Sequence, residues 1–251
     1  MLGTSDILEI GSAAVLATTG AAAGLAYASV WPTSQLFGKT LTAPRNPENG
    51  PPEIALTFDD GPNSRWTPQL LEILAKHDIR ATFFLVGRYA TTQHALVRET
   101  HAAGHLIGNH TWTHPNLSKT SAGQTREELA TTSAELEQII GAPIRYFRPP
   151  FGLRRPETLR IARSMGLIPV TWNVIGNDWN AKTSEQIVSR VMRLTGRNQR
   201  KGYATNLVLH DGGHLTLEAD RSRTVAAAAQ LIGQFKSTHR FVRLDEWTQE
   251  A

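Results

Sequence analysis

From residue 53 to the end of the chain, short apolar segments typical of strands alternate with longer segments that have helical spacing. The strands are predicted at residues 53–58, 80–86, 105–108, 146–147, 167–174, 206–209 and 240–244. Helices are predicted between them, among them one over residues 121–140 that ends at Gly141. This alternation predicts a parallel sheet with helical crossovers. Polar residues follow directly after several strands, and that is where a (β/α) barrel gathers its active site.

Length and composition narrow the class of protein. The chain has 251 residues, which is enough for one large α/β domain with a sizeable core. It has no cysteine, so thiolate metal sites, cysteine nucleophiles and disulfides are excluded. Positive charge is concentrated between residues 145 and 201, which indicates a solvated basic face or attraction to an anionic surface. We predict no nucleic-acid partner, because no basic motif interleaved with aromatic residues and no zinc-finger spacing occurs. No protein partner is predicted.

Two groups of chemically active side chains stand at the ends of apolar runs. Asp59 and Asp60 follow the strand 53–58, where side chains alternate in direction, so the two carboxylates are expected to point different ways. His110 and His114 are one turn apart if the segment is locally helical. Taken alone, the carboxylate pair is typical of a turn and the histidine pair of surface or structural histidines. Together they favour a two-histidine, one-carboxylate metal site with one carboxylate left as a base, which is the equipment for metal-assisted hydrolysis.

Five motifs extend this pattern along the chain. They are Thr57–Pro62 (TFDDGP), His110–His114 (HTWTH), Arg148–Gly152 (RPPFG), Asp178–Trp179 and Val208–His210 (VLH). With these motifs in this order, the chain resembles the polysaccharide deacetylase family, also called the NodB-homology or carbohydrate esterase 4 family, over roughly residues 53–247. The resemblance implies an α/β fold, a distorted (β/α) barrel of about seven parallel strands.

The resemblance implies a metal site and a base. Asp60, His110 and His114 would bind one divalent metal ion, with zinc as the first expectation and cobalt, nickel or manganese as alternatives. Asp59 would be the general base. Arg148 would hold Asp59 ionised and oriented.

The remaining motif residues would complete the catalytic machinery. The backbone N–H of Phe151 would stabilise the oxyanion, a role that does not need the hydroxyl of the Tyr usual in the family. Trp179 and Val208 would contact the substrate, with Val208 standing where the family usually has Leu. His210 would be the general acid, tuned by Asp178.

These roles imply a hydrolase that removes N-acetyl groups from N-acetylglucosamine-containing glycans, such as peptidoglycan or chitin-like oligosaccharides. Acetate would be released by attack of a metal-bound water. The sequence departs from the family at Ile175, where an acid is frequent, and the support that such an acid gives to the polar network is missing. The alternatives are the same site acting on a non-glycan amide or ester, a carbohydrate-binding relative without catalysis and, more distantly, an oxygenase with the same ligand types.

The amino-terminal segment from residue 10 to residue 31 has no charged residue and is long enough to span a membrane. Ala26-Tyr27-Ala28 also resembles a signal-peptidase site. The usual basic residues do not precede the segment, since Asp6 and Glu9 stand there instead. A buried amphipathic helix packed on the domain is therefore the alternative.

We predict an N-terminal hydrophobic helix and three parts of the chain: a signal or anchor segment at 1–31, a linker at 32–52 and the catalytic domain at 53–251. Residues 10–31 would make the membrane the second partner beside the glycan. The catalytic domain would then lie outside the cytoplasm, in a bacterial cell envelope, anchored or exported.

Overall fold

The computed structural model describes residues 24–248, which fold around one curled parallel sheet. In chain order the strands are β1 (Glu53–Gly61), β2 (Thr82–Leu85), β3 (Leu106–Asn109), β4 (Tyr146–Phe147), β5 (Ile168–Pro169), β6 (Val174–Ile175), β7 (Thr205–His210) and β8 (Arg240–Val242). Seven lie side by side in the order β5-β4-β3-β2-β1-β7-β6, and β8 pairs with the start of β1. The predicted parallel α/β sheet of about seven strands is confirmed. The barrel is open because β5 and β6, the two ends of this order, do not pair with each other.

Helices connect the strands and cover the sheet. They are α1 (described over residues 24–30), α2 (Trp66–Lys76), α3 (Gly87–Ala90), α4 (His94–Ala102), α5 (Ala122–Ile140), α6 (Pro156–Ser164), α7 (Ser184–Arg200) and α8 (Ser222–Phe235). The helix predicted at 121–140 is present as α5. Ser121 and Gln124 cap its start reciprocally, and Gly141 ends it with a φ of 69°.

β1 lies at the centre of the fold, and all of its residues are buried. Phe58 of β1 stacks on Phe83 of β2 with 5.0 Å between ring centroids, and Leu70 and Leu74 of α2 belong to the same core. The two faces of β1 differ, since Phe58 packs in the apolar core while the Thr57 hydroxyl on the other face donates to Leu207 O. A shift of one residue would exchange the two faces, so this difference fixes the register. That register places Asp59 beside His210 at the carboxyl end of β7.

The segment predicted as one strand over residues 167–174 is divided into β5 and β6. Backbone pairing continues just past Pro169, since Val170 N donates to Phe147 O at 2.7 Å, and the chain then turns across the open side of the barrel. Asn173 holds this crossing, since its side chain donates to Ala204 O at 2.8 Å and accepts from Asn206 N at 2.9 Å. The single-strand prediction is wrong because it counted apolar residues and missed this side-chain pairing.

A second difference concerns α7, which extends to Arg200. The sequence predicts a loop over residues 195–203 that helps to shape the substrate groove. Residues 195–200 are instead helical, and Thr195 is buried against the domain. The helix continues because this stretch contains no proline and one glycine, Gly196, whose cost within a helix is about 1 kcal/mol.

The amino-terminal part of the chain contacts the barrel. Leu41 pairs with Val170 in a parallel bridge, and Arg45 pairs with Tyr203 in an antiparallel bridge. The stretch 32–52, interpreted as a linker, therefore lies along the open side of the barrel in the described structure. Residues 1–23, which carry most of the predicted hydrophobic segment, lie outside the described residues. Within residues 24–248 no helix has the length and apolar character needed to cross a bilayer.

Candidate active site

The carboxyl end of β1 separates the two neighbouring aspartates. Asp59 keeps an extended strand position, whereas Asp60 has a φ of 70°, and the pairing with β2 shifts register between Asp59 and Gly61. This turn directs the two carboxylates to different partners. Asp59 Oδ1 accepts a hydrogen bond from Arg148 Nη1 at 2.7 Å, and Asp60 Oδ1 faces two imidazoles. The expected division between the two carboxylates is present in the structure.

Asp60, His110 and His114 form one buried cluster with metal-ligating atoms. Asp60 Oδ1 lies 3.4 Å from His110 Nε2 and 3.1 Å from His114 Nε2, and one ligand atom from each residue falls within 4.8 Å of the others. His110 Nδ1 lies 2.8 Å from Arg148 O, so this nitrogen carries the proton and Nε2 keeps its lone pair for the cluster.

The electrostatics of this cluster fit a divalent cation. Burial would raise the pKa of Asp60, but its contacts with His110 and His114 outweigh that penalty and hold the pKa well below its usual range. Burial lowers the pKa of His114, which favours the neutral imidazole that metals require. Asp60 Oδ1 and His114 Nδ1 are buried without a hydrogen-bond partner. A carboxylate oxygen left in this state needs a cation close by.

The loop that carries the histidines is not the expected helical turn. Thr111 and His114 have φ values of 67° and 61°, so the backbone twists between the two ligands. Glu128 of α5 holds this conformation, because its carboxylate accepts from Trp112 N at 2.7 Å and from Thr113 N at 2.8 Å. The same carboxylate accepts from Thr113 Oγ1 at 2.6 Å. Glu128 carries no sequence signal of this role, since two of these three partners are backbone amides. The condition of a locally helical segment is not met, and both imidazoles nevertheless reach one point.

Arg148 is fully buried and organises the side of the site that holds Asp59. Beside Asp59, its guanidinium donates to Thr57 Oγ1 at 2.7 Å and to Asn206 Oδ1 at 3.2 Å. The same group lies 4.2 Å from the centre of the Phe84 ring. Burial lowers the pKa of Arg148 and the charge of Asp59 opposes that shift. The guanidinium therefore stays charged and holds Asp59 in one orientation.

Phe151 lies in a short turn, Pro150–Gly152, that follows Arg148. Its φ is 58°, and the φ of Gly152 is 68°, so two consecutive residues occupy the left-handed region. The exposed Phe151 ring packs edge-on against His114 with 4.6 Å between centroids. The turn thus sits directly beside the metal-ligating cluster. The oxyanion role of the Phe151 N–H stays a prediction.

His210 and Asp178 form the opposite side of the site. Asp178 accepts from His210 Nδ1 and from His210 N, both at 2.8 Å, and from Thr224 Oγ1 at 2.8 Å. Burial alone would lower the pKa of His210, but Asp178 raises it to about 9. His210 is therefore protonated at neutral pH and able to donate a proton. Trp179 packs edge-on against its ring at 5.1 Å.

These groups open into one cavity of about 280 Å³. Its lining comprises Asp59, Asp60, His110, His114, Phe151, Trp172, Ile175, Trp179, Val208, His210, His214 and Arg221. All seven predicted metal, base, acid and substrate residues with side chains facing the cleft are in this set, together with Phe151. Arg148 and Asp178 lie buried behind it. Trp172 carries no sequence signal as a site residue. His214 follows Gly212-Gly213 close to His210 in the sequence, which leaves open that it lines the groove, and it does so here, stacked on His114 at 4.6 Å.

Asp211 is a further buried carboxyl group next to the site. Its Oδ2 accepts from Thr67 Oγ1 at 2.5 Å and so connects the end of β7 to the start of α2. Burial raises the pKa of Asp211 to about 7. Its backbone N–H donates to Asp59 O at 3.2 Å, and its side chain is absent from the cavity lining, so we assign the side chain to holding the two elements together.

Comparison with known proteins decides the family. Residues 46–170 match the polysaccharide deacetylase family. A chitooligosaccharide deacetylase of Azorhizobium caulinodans is 37% identical over 186 residues, which are 71% of this chain and 86% of that protein. The chain belongs to the polysaccharide deacetylase family.

Solved structures of this family have the same fold. A peptidoglycan N-acetylglucosamine deacetylase shares 31% identity at a TM-score of 0.71, covering 82% of this chain and 92% of the other. A CE4 family pseudoenzyme of Bacillus anthracis shares 28% identity at a TM-score of 0.70, covering 80% and 66%. The polysaccharide deacetylase fold therefore occurs in active enzymes and in a pseudoenzyme, so the function of this chain has to be inferred from the side chains of its site.

Proposed function

We propose that the protein is a metal-dependent N-deacetylase of glycans that contain N-acetylglucosamine, either chitin-like oligosaccharides or peptidoglycan. One observation carries the proposal. The buried Asp59–Arg148 pair and the buried His210–Asp178 pair flank the Asp60, His110 and His114 cluster in a single cavity. The names of similar proteins, a chitooligosaccharide deacetylase and a peptidoglycan N-acetylglucosamine deacetylase, support the substrate class.

Asp60, His110 and His114 would hold the cation, for which we propose zinc. Two imidazoles and a carboxylate are a donor set that zinc accepts with open positions. When bound, the ion supplies Lewis-acid polarisation of the acetyl carbonyl and makes a water molecule more acidic. Asp59 accepts the proton of the attacking water, and Arg148 keeps that carboxylate anionic and aimed. The water oxygen then forms its bond to the acetyl carbon.

Two further groups of the cleft act on the developing oxyanion and the leaving group, one as a hydrogen-bond donor and one as an acid. The Phe151 N–H is the proposed main-chain donor to the oxyanion, within a turn held beside the cluster. His210 gives its proton to the amide nitrogen as the carbon–nitrogen bond breaks, because an amine leaves poorly without a proton. The products are acetate and a glycan with a free amino group. Trp179 and Val208 would bound the space that the acetyl methyl group and the sugar occupy.

The competing function is carbohydrate binding without catalysis, which the similar pseudoenzyme structure makes worth testing. The presence of base, acid, arginine and metal-ligating residues in one cavity speaks against it. A non-glycan amide or ester is the other alternative, because Ile175 and Trp172 make part of the lining apolar.

The test measures acetate released from N-acetylglucosamine oligomers by the full chain, first after chelation and then after zinc is restored. We expect release that depends on zinc and is lost in Asp59→Asn, with zinc still bound to that variant. Asp78→Asn, at an exposed aspartate outside the cavity, serves as the matched control. Zinc binding without acetate release from any glycan would overturn the proposal and favour the binding function or a different amide.

We further propose that residues 10–31 act as an anchor or signal segment and that the catalytic domain works in the cell envelope. Support comes from the absence of charge over this stretch and from the Ala26-Tyr27-Ala28 pattern. Cell fractionation with amino-terminal sequencing tests the proposal. A membrane-bound chain, or an exported chain that begins at Ser29, is expected, and a soluble cytoplasmic chain that begins at Met1 or Leu2 would contradict it.

A further inference from the structure

Arg154 is a buried cation that the proposed chemistry does not use. Its side chain is 1% exposed, and among residues 24–248 no carboxylate lies within ion-pair distance of it. Burial lowers its pKa, and the charge is met by backbone carbonyl oxygens alone. A buried charge without a partner ion is costly, so its surrounding carbonyl groups have to be held in place.

The hydrogen bonds of Arg154 join two regions that are distant in sequence. Its Nη1 donates to Gly152 O at 2.9 Å, in the turn that contains Phe151. Its Nη2 donates to Trp31 O at 2.8 Å and to Ser34 O at 2.9 Å, and its backbone N–H donates to Ser29 O at 3.2 Å. One side chain therefore ties the Phe151 turn to the segment formed by residues 29–34.

The turn needs such support. Phe151 and Gly152 both have positive φ, and for Phe151 this conformation costs on the order of 1 kcal/mol or more. On its inner side the turn packs against Trp172, because a Cβ on Gly152 would lie 2.8 Å from that ring. Apart from that ring, the turn is held by the hydrogen bond from the Arg154 guanidinium to Gly152 O. A rigid planar fork of donors sets the distance between the carbonyls that it joins, which a lysine ammonium does not.

We propose that Arg154 is a positioning residue and that the segment 29–34 is a strut, through which the amino-terminal part of the chain holds the Phe151 turn in its catalytic conformation. This inference rests on the proposed deacetylation, because the Phe151 N–H matters only if it binds the oxyanion. It makes the end of the predicted hydrophobic segment, residues 29–31, and the three residues that follow it a structural component of the active site, so detaching that part should slow the chemical step.

The first experiment compares Arg154→Lys with wild type in the full, zinc-loaded chain. Losing an oxyanion donor outright costs about 100- to 1,000-fold in kcat, so a displaced donor is expected to cost about 10-fold. KM and zinc affinity should stay within about two-fold, because the donor acts on the transition state and not on ground-state binding. Arg160→Lys, an exposed arginine on α6, is the matched control and should leave kcat unchanged.

A second variant, Ser34→Pro, changes the strut itself and leaves the Arg154 side chain in place. The Ser34 N–H donates to Trp31 O at 3.0 Å, and Ser34→Pro removes that donor while leaving Arg154 and the barrel core intact. We expect a smaller loss of kcat, again without a change in KM. Trypsin cleavage after Lys39 reports detachment of the segment without any reference to catalysis. It should be faster in both variants than in wild type.

A double-mutant cycle with Gly152→Ala separates positioning from general stabilisation. Gly152→Ala disturbs the turn directly, so adding Arg154→Lys should cost little more if Arg154 acts through the turn. Independent, multiplying losses would overturn the inference, and so would an unchanged kcat in Arg154→Lys and Ser34→Pro despite faster trypsin cleavage. If wild type releases no acetate while the variants show normal trypsin protection, the proposed function fails and the strut fails with it. If wild type is active and the variants lose only thermal stability, the strut alone fails.

Discussion

Two buried charge pairs flank the proposed metal site, and they differ in which partner can change its charge. In the Arg148–Asp59 pair the cation is permanent, and it fixes the carboxylate at 2.7 Å. In the His210–Asp178 pair the carboxylate is fully buried and its pKa is lowered, because attraction to His210 outweighs the burial penalty. The imidazole is then the group that titrates, with a pKa raised to about 9. The same device of a buried ion pair thus prepares a proton acceptor on one side and a proton donor on the other.

This difference follows from the chemistry of the two cations. An arginine does not lose its proton at physiological pH, so Asp59 has a permanent counter-charge. A histidine has its ordinary pKa near neutrality, and the neighbouring carboxylates, Asp178 foremost and then Asp60 and Asp59, raise the pKa of His210 past 7. Thr57 and Asn206 complete the first pair, and Thr224 completes the second. Changes to either pair should therefore fail in different ways.

Arg148→Met is expected to have the largest effect. It leaves Asp59 buried without its cation, which costs about 3–5 kcal/mol and lowers the melting temperature by about 10 °C. Asp59 also loses the partner that holds its carboxylate in one orientation, so the base is misplaced and kcat should fall by more than about 1,000-fold. Thermal unfolding and acetate release measure the two effects, with the exposed Arg193→Met as control. Combining Arg148→Met with Asp59→Asn should restore much of the stability and none of the activity. Activity within tenfold of wild type in the single variant would refute the pairing argument.

His210→Gln breaks the second pair and should act selectively. The variant keeps an N–H for Asp178 but has no proton to give, so kcat on an N-acetyl glycan should fall by about 100- to 10,000-fold. An acetate ester with a good leaving group, such as 4-nitrophenyl acetate, does not need the acid and should lose much less. The ratio of the two rates is the measurement. Equal losses on amide and ester would show that His210 acts in some way other than as the acid.

The positions of the strands and helices could be predicted because they depend on the local pattern of apolar and polar residues. The central strand ending in two aspartates and the helix starting at Ser121 and ending at Gly141 both appear as predicted. The metal, base and acid residues also come together, since each follows a strand and parallel strands end at the same edge of a sheet.

The residues that the sequence did not reveal act on distant backbone atoms. Glu128 accepts from the amides of the histidine loop, and Arg154 donates to carbonyls more than a hundred residues away. Backbone amides and carbonyls are alike at almost every residue, so a sequence motif cannot reveal these hydrogen bonds. The break between β5 and β6 is hidden for the same reason, because the Asn173 side chain bonds to the backbone of Ala204 and Asn206, at and just before the start of β7. A domain boundary drawn at residue 32 would also remove the Ser29 and Trp31 carbonyls that Arg154 uses.

Asp178→Asn should change the pH dependence more than the maximal rate. A proton donor with a pKa raised to about 9 is active below that pH and is lost as the pH rises through it. Without the carboxylate, burial lowers the pKa of His210, so the alkaline loss of activity should begin at a lower pH. A fall of two pKa units would reduce kcat at pH 8 by about 10-fold and leave the rate at pH 6 closer to wild type.

A bound cation lowers the pKa of His210 in both proteins, so the direction of the difference is unaffected. Thr224→Val keeps the carboxylate but removes the 2.8 Å hydrogen bond that lowers the pKa of Asp178. The carboxylate then attracts the His210 proton more strongly, so the alkaline limb should shift less than in Asp178→Asn and toward higher pH. Profiles of kcat against pH for the three proteins provide the measurement. Superimposable alkaline limbs for wild type and Asp178→Asn would mean that Asp178 does not tune the acid.

Phe151→Tyr should have the smallest effect, because it changes a side chain at a position where the proposed contribution comes from the main chain. The proposed oxyanion donor is the backbone N–H, and both residues hold the same positive φ at similar cost. We expect kcat and KM to stay within about three-fold of wild type, and Phe151→Leu to behave alike, because the donor is unchanged in each. A loss beyond tenfold in Phe151→Leu alone would assign the role to the ring, which packs on His114 at 4.6 Å, and would place substrate recognition there in the side chain.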